Sequence, residues 1–208
     1  MSLLRISIVL AIALSPIAVF ASEIREFDLE TVKRLGAELA RLNKTPEKGA
    51  TTPERKHARD TAIAALKGKL FKIPYKYVVL EDPDGSGFLV YALAYSNSEI
   101  ILGGHFRVTV SADGSKAERV DALSNTLLRQ PPAPKGYKGE KPIGVSMSQI
   151  VSNRPLETCV YTSLHDKVIV SVGMVNDNAK VWTFVGDKIF EVTPELEKQL
   201  GIQKGEHK

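Results

Sequence analysis

Hydrophobic positions change their spacing twice along the chain, and the changes mark out its elements. Leu29, Val32, Leu35, Leu39 and Leu42 recur every three or four residues with charged residues between them. That is one apolar stripe on a helix, and Asp28 stands where an N-cap belongs, so a helix is predicted from 28 to about 43. Thr52-Pro53-Glu54 then supplies a hydroxyl cap, a proline at the first helical position and an acid in the first turn. A second helix follows to near Gly68, with Ala58, Ala62, Ala65 and Leu66 on one face, small enough to pack closely on the first helix or on a sheet.

From Tyr75 the period drops to two. Residues 77–81, 88–96 and 100–111 are rich in Val, Tyr, Ile and Phe and are parted by Asp82-Pro83-Asp84-Gly85 and by Asn97, which reads as strands and turns. In the third run Phe106, Val108 and Val110 alternate with His105, Arg107 and Thr109, so a half-buried strand with its polar side in solvent is predicted. Gly103-Gly104 ahead of it predicts a bulge or a close backbone approach. Asp113-Gly114 is a hairpin turn, with 118–123 as the return strand.

Residues 129–142, RQPPAPKGYKGEKP, hold no periodic pattern and read as a linker. Beyond it, 146–153 is predicted as a short helix and 158–164, 167–175, 180–185 and 188–192 as strands. Gly186-Asp187 closes the last pair, and Thr193-Pro194-Glu195 opens a short terminal helix. The result is an α+β chain, N-terminal helices packed on antiparallel β-meanders, divided into 22–128 and 143–208 about the linker. Its order allows two tandem helix-plus-meander units.

Residues 1–21 carry one cation, Arg5, then an apolar run from Ile6 to Phe20 and a Val-Phe-Ala end, the order of a secretory signal peptide cut before Ser22. The run is short of the roughly 20 residues that span a bilayer. The chain's 208 residues are 43% hydrophobic and 25% charged, which excludes disordered and fibrous classes. Its single cysteine excludes a disulfide framework or a Cys-rich metal site. An exported chain without an internal disulfide is expected in the bacterial periplasm or secreted from it. Losing Arg5 lowers the net charge from +4 to +3, too little to imply a nucleic-acid partner.

Chemistry-bearing patterns are sparse. Asp82-Pro83-Asp84-Gly85-Ser86-Gly87 matches the first half of a calcium loop, with Asp82, Asp84 and Ser86 as the metal-ligand candidates, but the twelfth position is Leu93 and not a carboxylate. The same residues make an ordinary turn. His57, His105, His165 and His207 form no ligand-spaced pair, and no serine sits in a nucleophile elbow. Cys159, read as part of an apolar strand, is expected to be a buried thiol. Residues 44–76 hold nine Lys and Arg against three acids, a local balance of +6, which reads either as a solvated face or as a surface that steers an acidic partner.

Two resemblances follow from these residues. The helix over 52–67 with the strands over 77–81, 88–96 and 104–123, including HFRVTVSADG, resembles the helix-plus-three-strand unit of PepSY-type periplasmic modules and the αβ repeats of beta-lactamase-inhibitor-like proteins. The segments ILGGHFRVTVSADG, VYTSL and VWTFVGDKI are similar to an uncharacterised family of exported proteobacterial proteins, which implies location and not activity. The expectation is an exported, non-enzymatic protein that binds an envelope or secreted protein as an inhibitor or immunity factor, with no cofactor. His105, Arg107 and Thr109 on the strand and Arg55 and Arg59 on the helix are the partner-contact candidates. A calcium- or small-ligand-binding module and an unrecognised hydrolase remain the alternatives.

Overall fold

The computed structural model describes residues 24–45, 51–131, 144–175 and 180–193. The signal segment, most of the linker and the terminal helix expected after Thr193 lie outside them. Helix α1 (Leu29–Leu42) starts where Asp28 accepts the Thr31 backbone N–H at 2.9 Å, and it buries Val32, Leu35, Leu39 and Leu42. Helix α2 (Pro53–Ala65) is capped by Thr52 and buries only Ala58 and Ala62. Strands β1 (Tyr75–Glu81), β2 (Phe88–Ala94), β4 (Phe106–Val110) and β5 (Ala117–Ala122) form one antiparallel sheet in the order β1-β2-β4-β5. The third sequence run is split by Gly103-Gly104: its first part is β3 (Ile100–Ile101), which pairs with β6 (Arg129–Gln130). Gly104 has φ +83°, and a Cβ on Gly103 would lie 2.6 Å from the Thr126 carbonyl, so the close approach read from the glycine pair is present.

The second half corrects three expectations. Residues 146–153 are not a helix; β7 (Gly144–Gln149) lies there, at the edge of its sheet among the described residues. Residues 158–164 are not a strand but lie in helix α3 (Glu157–Asp166). Strand β8 (Ile169–Met174) then runs parallel to β7, so one strand-helix-strand crossover sits inside a fold that is otherwise antiparallel. β9 (Val181–Val185) and β10 (Lys188–Val192) complete the sheet β10-β9-β8-β7 through the expected Gly186-Asp187 hairpin. Arg129 and Gln130, read as part of the irregular linker, are the β6 pairing residues.

The Thr-Cys-Val-Tyr-Thr run favours a strand by propensity, yet residues 157–163 of α3 are all buried. A helix covered on all sides shows no amphipathic period, and packing overrides local preference. α3 lies against α1, where Gly36 allows the close approach: a Cβ there would stand 2.5 Å from the Val160 Cβ. Leu35 and Leu39 of α1 share one apolar core with Leu80 and Leu93 of the first sheet and with Val170 and Phe184 of the second, so the core draws on both sides of the linker. α2 covers the opposite face of the first sheet over Val79, Val90 and Val108.

Candidate functional site

The three strand residues expected in solvent are inside. His105 and Arg107 are 1% and 0% exposed, and Thr109 is buried beside them. The alternation was real, but each side of β4 is covered: α2 packs on Val108 and its neighbours, and the α1–α3 layer covers Arg107. Arg107 donates to Glu157 at 2.6 Å and to Asp121 at 2.7 Å, and also to the Arg25 carbonyl. Tyr91 donates to the same Glu157 oxygen at 2.8 Å, and Arg119 holds the far oxygen of Asp121 at 2.6 Å. Burial alone would lower the Arg107 pKa; Glu157, Tyr91 and Asp121 outweigh it and raise it. Burial, with Glu157 adding to it, pushes the Tyr91 phenol well above its usual range. The cluster is a buried, mutually neutralised set of charges that ties β2, β4 and β5 to α3.

Arg25 extends this network to the calcium-like loop. Its guanidinium makes two 2.6 Å bonds to Asp82 and a 2.9 Å bond to Asp84. A cation therefore does sit among these aspartates, and it belongs to the protein. Burial would raise the Asp82 pKa, but Arg25 and the Asp84 backbone N–H lower it on balance. Ser86 is an exposed turn residue, and among the described residues no group of three His, Cys, Asp or Glu could hold a metal ion. Glu26, next in the chain, accepts from Ser152 at 2.6 Å and from the Asn153 backbone at 3.0 Å. Residues 24–27 thus strap the first sheet to the second half of the molecule.

The helix candidates are also engaged: Arg55 donates to Glu81 at 2.8 Å and to the Val79 carbonyl at 3.3 Å, while Arg59 meets Asp60 at 3.4 Å. Within the basic segment 44–76, the exposed cations left without a carboxylate among the described residues are Lys44, Lys56, Lys67, Lys69 and Lys72. His165 lies 3.1 Å from Asp166 at the end of α3 and stacks on Tyr161 at 5.2 Å, beside a shallow recess of about 10 Å³ that also meets Glu99. Behind it, burial pushes His105 down to about 4, and its Nδ1 accepts the Ala94 N–H at 3.1 Å. Cys159 is buried in α3, not on a strand, and burial pushes its thiol up to about 12.

Among the described residues, what the sheet β10-β9-β8-β7 leaves open is its outer face. Val170, Val172 and Phe184 turn to the core. Pairing and alternation put Gly144, Ser146 and Ser148 of β7 outside with Ile169, Ser171 and Gly173 of β8. Val181, Thr183 and Val185 of β9 and Lys188, Phe190 and Val192 of β10 complete that face. Lys188 is its one charge, and Val185 and Phe190 are 41% and 43% exposed on it. Sequence reasoning missed this face because β7 was read as a helix, although Val145 and Met147 already alternated with Ser146 and Ser148. It also missed Asp121 and Glu157. The hairpin turn at Asp113-Gly114 places Asp121 opposite Arg107, and that register was the available signal; the lone acid within the apolar run 155–160 was the signal for Glu157. No protein-family model, curated protein or solved structure matches the chain.

Proposed function

We propose that the protein is an exported, non-enzymatic binding factor of the inhibitor or immunity type, which holds an envelope or secreted protein on the outer face of the β7–β10 sheet. The observation that carries this reading is that face: one charge in twelve outward positions, with Val185 and Phe190 exposed on it. Solvated sheet faces normally alternate apolar-in with polar and charged out. A face of small hydroxyls and exposed aliphatic or aromatic groups instead matches the charge-depleted centre of protein interfaces.

The size of the face bears on the occupant. Four strands about 4.8 Å apart and about 17 Å long cover roughly 300 Å², below the roughly 800 Å² per partner of a stable interface. Any partner docked on this face alone falls short, so the proposed partner protein also meets flanking structure. A photo-crosslinking amino acid at Thr183, introduced in the producing cell, is expected to give one discrete heterologous adduct, and the same probe at exposed Ala64 of α2 none. Equal labelling at both positions, no adduct, or an adduct only with a second copy of the chain would overturn the reading.

A further inference from the structure

We infer that the cleft between β7 and the 123–128 loop is a peptide site, which takes an extended, uncharged segment as a fifth strand beside β7. The cleft holds about 100 Å³, and three consecutive β7 residues, Met147, Ser148 and Gln149, line it together with Ile150 and Val151 just beyond the strand. Side chains of a strand alternate between faces, so a consecutive run lines one cavity only along the strand's backbone edge. β7 ends its sheet among the described residues. The Val175 N–H donates to the Gln149 carbonyl at 3.1 Å, which turns the Gln149 main chain toward β8. By the same alternation the main-chain N–H and C=O groups of Ser146 and Ser148 point to the open edge.

Gln149 is an independent pointer to a ligand. Its side chain is 4% exposed, its Nε2 serves the Ser152 and Arg154 carbonyls at 3.2 and 2.8 Å, and its Oε1 has no partner. An orphaned buried acceptor in the wall of a cleft asks for a donor from an occupant. Leu123, Leu128 and Met147 make the cleft apolar, and none of its lining residues is charged. An added strand would send every second side chain into this cleft and the others out beside Ser146 and Ser148. The fitting ligand is therefore a main chain with apolar residues at alternate positions and no charge between them. The site is separate from the outer face and stands if that face proves idle.

The test is an NMR titration of the ¹⁵N-labelled mature chain with a blocked peptide of about seven residues alternating valine and threonine. Shifts confined to β7 and residues 123–128 are expected, with slowed exchange at the Ser146 and Ser148 amides. N-methylation of the peptide at alternate residues, or Ser148→Pro in the protein, is expected to weaken binding about ten-fold or more through lost edge hydrogen bonds. Gln149→Leu is expected to weaken it less, with the fold retained by circular dichroism. The inference is overturned by no shift at millimolar peptide, by shifts elsewhere, or by equal binding of the N-methylated peptide. Ser146 and Ser148 amides already protected in the free protein would overturn it too, since the edge would then be covered by the chain itself.

Discussion

The two four-stranded sheets of this protein are built from similar residues and used in opposite ways. The first is covered on both faces, by α2 on one side and by the strap, α1 and α3 on the other, and every residue of β4 is buried. The second is covered on one face by the described residues, and β8 alternates regularly between buried and half-buried positions. In the first sheet polar residues at alternate positions mean a charge network drawn inward. In the second they mean a surface. Alternation alone does not separate the two cases; what separates them is whether a second layer exists to cover the polar side, and that layer comes from segments distant in sequence.

The largest expected effect breaks the first sheet's side of this contrast. Arg107→Met leaves Glu157 as a buried carboxylate without a cation and Asp121 with Arg119 alone, and should destabilise the fold by about 3–5 kcal/mol, lowering the melting temperature by roughly 10 °C. Adding Glu157→Leu and Asp121→Leu should recover much of that, since the penalty lies in unpaired charge rather than in lost packing. A single-variant loss under about 1 kcal/mol in urea or thermal unfolding would show that the network is not buried.

A smaller effect is readable by pH. Burial holds the folded His105 at about 4, whereas the unfolded ring takes its proton near 6.5. Above that value neither state binds the proton and the site is neutral to stability. As the pH falls from about 6.5 to about 4 the unfolded chain gains the proton first, so stability drops by about 3 kcal/mol and then levels. Urea midpoints across this range should flatten in His105→Asn, whose side-chain oxygen can still accept the Ala94 N–H. An unchanged slope in that variant would assign the acid sensitivity to other groups.

The legible parts of the fold are those fixed by local chemistry. The Asp28 and Thr52 caps, the Asp113-Gly114 turn and the Gly186-Asp187 hairpin each depend on residues a few positions apart, and the elements they bound follow the sequence. α3 was illegible because a helix buried all round carries no stripe and its residues favour strands. The site was harder still. His105, Arg107 and Thr109 pointed outward on the reading of one strand, and only the approach of Glu157 and of the Arg25 carbonyl, 50 and 82 residues away in the chain, turns them into core. Asp82 and Asp84 kept the form of a cation loop, and the cation is Arg25, which no loop pattern contains.

The central claim is that the second sheet's outer face does the binding and adds little to the fold. Phe190→Lys tests it most directly, measured for stability and for the Thr183 crosslink together. A stability change within about 0.5 kcal/mol is predicted, as for an exposed residue outside the core, with the adduct lost. A folded variant that keeps the full adduct, or one that loses the adduct only because it has unfolded, would contradict the claim.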